Sequence, residues 1–71
     1  MTQGQLVVRK VDGEGWTTQD LVTIQRVDDK GVWLESELGE FPAGPFDPTT
    51  GEFLGVVLDA RVWIETAVML A

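Results

Sequence analysis

The apolar residues of this chain come in short runs rich in Val and Ile, broken by Gly, Pro and Asp about every 8–12 residues. No stretch repeats at helical spacing, and β-branched side chains lose χ1 freedom in a helix. The pattern predicts an all-β protein. With no Cys and no His, disulfides and the common structural zinc sites are excluded, so apolar burial alone must hold the fold. A chain of 71 residues is one domain, residues 1–71, and buries only about 60% of its unfolded surface. Its 44% apolar content and three Trp must supply that core.

The first strand is predicted from Gln5 to Val11, ended by the turn Asp12-Gly13-Glu14-Gly15. A second strand runs from Asp20 to Asp28 and a third from Val32 to Leu38. Between them, a three-residue loop Asp29-Lys30-Gly31 puts Gly31 in the left-handed region and pairs Asp28 with Val32. Val22, Ile24 and Arg26 then share a face with Leu38, Ser36 and Leu34, while Thr23 and Gln25 face out with Trp33, Glu35 and Glu37. A four-residue loop would set Ile24 against Glu35, and a one-residue slip of that kind moves the apolar set to the wrong face.

Leu38 to Pro45 is a loop, because Pro42 and Pro45 have no backbone N–H for a ladder. The stretch Phe46 to Gly55 is a hairpin: Asp47 accepts from amides further along, Pro48 presets its φ, and Gly51 supplies a positive φ. The last strand runs from Arg61 to Met69, with Val62 and Ile64 on one face and Trp63 and Glu65 on the other. A C-terminal helix from Val56 onward is the alternative, opposed by the β-branched residues in that run. Five short antiparallel strands with no helix to cover them must close on themselves. The expected fold is a small five-stranded antiparallel SH3-like barrel, with an OB-like barrel as the second choice.

The segments Val22-Thr23-Ile24-Gln25-Arg26-Val27, Val32-Trp33-Leu34, Phe46-Asp47-Pro48-Thr49-Thr50-Gly51-Glu52-Phe53-Leu54-Gly55 and Arg61-Val62-Trp63-Ile64 together are similar to small SH3-like β-barrel proteins encoded by bacteriophages and prophages. The resemblance spans about residues 21–65, and its most distinctive piece is Phe46 with Thr50-Gly51-Glu52 and Gly55. That piece specifies a hairpin and carries no catalytic or binding residue with it. What the resemblance implies is a phage or mobile-element origin, where small acidic proteins often act on host machinery.

Charge is the other informative feature. From Gly31 to Ala60 the chain holds six carboxylates (Glu35, Glu37, Glu40, Asp47, Glu52, Asp59) and no Lys or Arg. The net charge of -7 therefore resides almost wholly in the middle of the chain. Such a field attracts basic partners and repels polyanions and anionic lipid. Direct nucleic-acid binding is not expected, since Arg9, Lys10, Arg26 and Lys30 are too few for a basic groove. No membrane partner is expected either: Met1-Thr2-Gln3-Gly4-Gln5 is not a signal peptide, and no apolar run approaches the roughly 20 residues of a spanning helix. The expected location is the cytoplasm.

The chain has no His, Cys, Tyr or Asn and a single Ser, Ser36. Ser/His and Cys/His nucleophile pairs are thus impossible. Glu35 and Glu37 are about 6.6 Å apart along a strand, but two neighbours on one flat face do not flank a scissile bond. Oxygen ligands from Glu35, Glu37 and Glu40, or from Asp12 and Glu14, do not match a calcium-loop spacing. No catalysis, cofactor or metal is expected.

The candidate site is instead a protein-docking face: Glu35, Glu37 and Glu40 with Trp33 and Phe41 as aromatic anchors. The expected partner is a protein with a basic surface, of the kind found on host nucleic-acid-handling or defence proteins, which this chain would inhibit or modulate. The alternative is a structural or virion-associated homo-oligomer, joined through edge strands and the apolar tail Ala67-Val68-Met69-Leu70-Ala71.

Overall fold

Four strands form in the computed structural model, which describes residues 1–35 and 41–67. They are β1 (Leu6–Gly13), β2 (Trp16–Asp28), β3 (Gly31–Leu34) and β4 (Ala60–Thr66). No helix forms among the described residues, so none there is long and apolar enough to cross a membrane. The strands make one curled antiparallel sheet in the order β3-β2-β1-β4. β2 is 13 residues long and serves two partners. Its residues 16–23 pair with β1, and those from Ile24 onward pair with β3.

The turn after β1 is tighter than the sequence suggests. Gly13 pairs directly with Trp16, leaving only Glu14-Gly15 as the loop, with Gly15 at φ 80°. β2 therefore starts at Trp16, four residues before the expected Asp20. Thr17 and Thr18 suit a strand, and pairing with Asp12 and Val11 satisfies a backbone that a longer loop would leave to water.

The β2–β3 register also differs from the three-residue loop. Asp28 pairs with Gly31, Val27 with Val32 and Arg26 with Trp33, and a bulge at Gln25 restores Ile24 opposite Leu34. The tight turn is held by Asp28, whose Oδ1 accepts the Lys30 N–H at 2.9 Å. A uniform ladder cannot satisfy both this turn and burial of Ile24 with Leu34; one extra residue on β2 does. The bulge keeps Ile24 and Leu34 on the core face, as expected, but turns Arg26 out, with a side chain 54% exposed. The expected partners Ser36 and Leu38, and the third strand's continuation to Leu38, lie outside the described residues.

The segment expected to give a fifth strand contributes isolated bridges. Phe46 exchanges both backbone hydrogen bonds with Val32 at 2.8 and 2.9 Å. It bridges to Phe53, and Glu52 bridges to Trp63 of β4. Backbone pairing thus continues from β3 through residues 46 and 52–53 to β4. The turn between those residues is built as its sequence implies. Asp47 Oδ1 accepts the N–H groups of Thr49 and Thr50 at 2.7 and 3.0 Å, and Gly51 has φ 81°. A Cβ on Gly51 would run into the Ile64 carbonyl oxygen, so this position admits glycine alone.

The core is Val7, Val11, Ile24, Val32, Leu34, Phe46, Val62 and Ile64. Val62 and Ile64 alternate with half-buried Trp63 along β4, so the C-terminal segment is a strand over the described range. Phe46 is fully buried, and its ring meets Phe53 at 5.5 Å in a tilted pair, which adds about 0.5–1.5 kcal/mol beyond area burial. Met1, Val22, Phe41, Phe53, Val57 and Ala60 pack around this centre.

Candidate functional site

Trp33 lies on β3, paired with Arg26 across the sheet. Its ring is half-buried, with the Arg26 guanidinium 4.8 Å from its centroid. Its indole N–H donates to Asp28 Oδ1 at 3.0 Å, and Gly44 passes so close that a Cβ there would lie 3.1 Å from the ring. Trp33 is thus already engaged on its polar edge and against the backbone of the following loop. Glu35, just beyond β3, is exposed; its backbone N–H is bonded to Thr23 at 2.8 Å, which leaves the carboxylate to solvent. Phe41 is half-buried against the core, with the Arg9 guanidinium 5.6 Å from its ring. Glu37 and Glu40 lie outside the described residues. The structure therefore places Trp33 and Phe41 at opposite ends of one segment, residues 41–45, with Glu35 as the described free acid at that end of β3.

Arg9 organises this segment. It alternates with Val7 and Val11 on the inner face of β1 and is only 3% exposed. Cross-strand pairing sets it opposite Asp20, and its Nε and Nη2 donate to the two carboxylate oxygens at 3.1 and 2.6 Å. Its Nη1 donates to the carbonyls of Phe41 and Pro42 at 3.4 and 2.9 Å. A planar fork with five donors satisfies a carboxylate and a loop backbone together, which lysine could not do. The sequence held a signal for this role, since Arg9 occupies a core position in the alternation Val7-Arg9-Val11.

Three of the other four cations are also engaged by the chain's own acids. Lys10 meets Glu65 at 2.6 Å and Arg26 meets Asp28 at 3.2 Å, and Arg61 pairs with Glu52. Lys30 has no ion pair among the described residues. Asp12, Glu14, Asp29, Glu35 and Asp59 are exposed and have none there either. Asp47 is occupied by its own turn. The described residues hold ten acids against five bases, a net charge of -5, which makes their outward field negative on balance.

These contacts shift several carboxyls below their ordinary range. The Trp33 indole N–H does most to lower Asp28, helped by the Lys30 amide and Arg26. The Thr50 and Thr49 amides lower Asp47. Arg61 lowers Glu52, and is itself raised by it. Lys10 and then Trp63 lower Glu65. All four acids are structural participants and stay charged at neutral pH. No three of the carboxylates gather in a metal-holding group among the described residues.

A second surface was not anticipated from the sequence. The loop after Phe53 exposes Val56 and Leu58 by 88% and 83%, beside an open cavity of about 320 Å³. An unbroken apolar run such as Leu54-Gly55-Val56-Val57-Leu58 has no periodicity from which exposure can be read.

No protein-family model, curated protein or solved structure matches this chain.

Proposed function

We propose that this chain is a non-catalytic acidic docking module of phage or prophage origin, an SH3-like barrel that binds a basic surface on a host nucleic-acid-handling or defence protein in the cytoplasm and inhibits or modulates it. The observation that carries the reading is the pairing of cations. Arg9, Lys10, Arg26 and Arg61 each close on an internal carboxylate, so the acids left over face outward without local compensation. Complementary charge of this kind speeds encounter and fixes orientation.

The docking face is assigned to Glu35, Glu37 and Glu40 together with Trp33 and Phe41. The two aromatics are half-buried, Trp33 lies against Gly44 and Arg9 holds the Pro42 carbonyl, which supports preorganised aromatics more than two freely projecting anchors. Self-assembly through sheet edges and the apolar tail Ala67-Val68-Met69-Leu70-Ala71, whose last four residues lie outside the described range, is the less favoured reading. β3 is bonded along its outer edge to residues 43 and 46, and β4 to residues 51 and 53, so little edge is open to another strand.

The test is capture of a basic host protein by the immobilised chain across a salt titration. Replacing Glu35, Glu37 and Glu40 by Gln should weaken capture about tenfold at physiological salt and flatten its salt dependence. Unchanged capture with an unchanged salt response would show that this face is the wrong one.

A further inference from the structure

We infer that the outer face of β1, β2 and β4 carries a binding site for a neutral saccharide, with Trp63 as its stacking wall. A cavity of about 510 Å³ opens there, bordered by Lys10, Asp12, Thr17, Gln19 and Trp63. Strand register brings these side chains to one face. Lys10 pairs with Gln19 on one side and Trp63 on the other, and Asp12 pairs with Thr17 and Arg61. Alternation turns Val11 and its partner Thr18 to the opposite face. The volume lies within the usual range of small-molecule sites, about 300–1,000 Å³.

The chemistry of the occupant follows from which groups are already engaged. Lys10 is closed on Glu65 at 2.6 Å and Arg61 is paired with Glu52. An anionic ligand would therefore meet Asp12 and find no free base. A cationic one would find its place on the indole taken, because the Arg61 guanidinium lies 4.3 Å from the Trp63 ring centroid. Still free are the Asp12 carboxylate, the Thr17 hydroxyl and the Gln19 amide, all exposed. None of them enters a side-chain hydrogen bond or ion pair among the described residues.

Together these three offer donors and acceptors beside one flat aromatic wall. A pyranose with equatorial hydroxyls matches that arrangement. Its axial C–H groups make each ring face apolar, fit to stack on indole, and its rim both donates and accepts. A neutral peptide fits less well. β1 is hydrogen-bonded on both sides, so this face has no edge for strand addition, and a polyproline groove needs more aromatic lining than one Trp. The wall is also held in advance, by Arg61 against its ring and by Glu65, which accepts its indole N–H. Binding therefore freezes little that is not already ordered.

The test is an amide NMR titration of the labelled chain with the tetrasaccharides of β-1,4-linked glucose and of β-1,4-linked N-acetylglucosamine, up to about 20 mM. At least one should shift residues 10–12, 17–19 and 61–63 and the Trp63 indole N–H, saturating with a Kd of about 1 mM. These shifts should persist from about 50 mM to about 500 mM salt, whereas capture of a basic partner through the Glu35 face weakens. The two readings thus fail separately.

Trp63→Ala should abolish the shifts, and D12A/Q19A should raise the Kd at least about tenfold. If Trp63→Ala does not keep its near-ultraviolet circular dichroism, D12A/Q19A decides alone, because both its sites are exposed. A chain that neither tetrasaccharide perturbs at about 20 mM overturns the inference. So does binding that D12A/Q19A leaves unchanged, and so does a groove that answers to a neutral proline-rich peptide and to neither sugar.

Discussion

Two apolar loops leave this sheet, and they are treated in opposite ways. Residues 41–45 lie against the molecule: every one of them is half-buried, with Arg9 donating to the carbonyls of Phe41 and Pro42 and Trp33 packed on Gly44. Residues 54–59 are bonded at their base, to Pro45, and then project Val56 and Leu58 into solvent. Composition does not explain the contrast, since both loops are apolar and contain glycine. What differs is a buried cation. A guanidinium inside the sheet needs acceptors beyond its one carboxylate, and the backbone of the first loop supplies them. No comparable donor reaches the second loop among the described hydrogen bonds.

The largest way to break that contrast is to remove the pin. Arg9→Ala deletes a bidentate ion pair and the loop hydrogen bonds. Asp20 is 41% exposed and water can reach it, so the loss should fall to about 2–4 kcal/mol in urea unfolding. Hydrogen exchange should rise in residues 41–46 and stay constant in 54–59; a uniform rise would mean that Arg9 supports the whole sheet and not that loop.

Gly51→Ala attacks the root of the second loop instead. A side chain there takes a strained φ and meets the Ile64 carbonyl, for about 2 kcal/mol of lost stability. A change below about 0.5 kcal/mol would mean that the hairpin tolerates a different turn. Side-chain truncation then compares the loops directly. Phe41→Ala should cost about 1–2 kcal/mol, since the ring packs on the core. V56S/L58S should stay within about 0.5 kcal/mol. Equal costs would erase the distinction.

The smallest expected effect is on pH. Asp28, Asp47, Glu52 and Glu65 are all lowered in the folded chain. A lowered carboxyl contributes stability that is fully present above its unfolded value and is lost as pH falls through the folded one. The unfolding midpoint should therefore be flat near neutrality and drop below about pH 4. Because these groups are solvent-screened, added salt should shrink the drop. A midpoint that rises on acidification would reverse the sign.

The residues show why parts of this structure were legible in sequence and others were not. The β4 core pair Val62 and Ile64, and the Asp47-to-Gly51 turn, depend on short-range rules: alternation, an Asx acceptor, one positive φ. Both form as read. The β2–β3 register does not follow from any local rule. A bulge at Gln25 lets a two-residue turn and the Ile24–Leu34 pairing coexist, and only the closed core demands both. In sequence Arg9 counts only as one of a few bases; its alternation with Val7 and Val11 signals burial, but its loop acceptors, more than thirty residues away, leave no local trace. Of the candidate site, the exposure of Glu35 agrees with the sequence. The engagement of Trp33 follows from the two-residue turn, which sets Arg26 across from it.

The order β3-β2-β1-β4 also has a consequence for synthesis. β1 has two neighbours: one begins three residues after it ends, and the other does not begin until Ala60. A nascent chain can close the first hairpin at once, but the far edge of β1 must wait for almost the whole chain. Through most of translation that edge presents the unpaired amides of Val7 to Gly13 to whatever strand comes near. The acids that accumulate between Gly31 and Ala60 emerge during this interval, and they give each unfinished chain a growing negative charge that holds its neighbours apart.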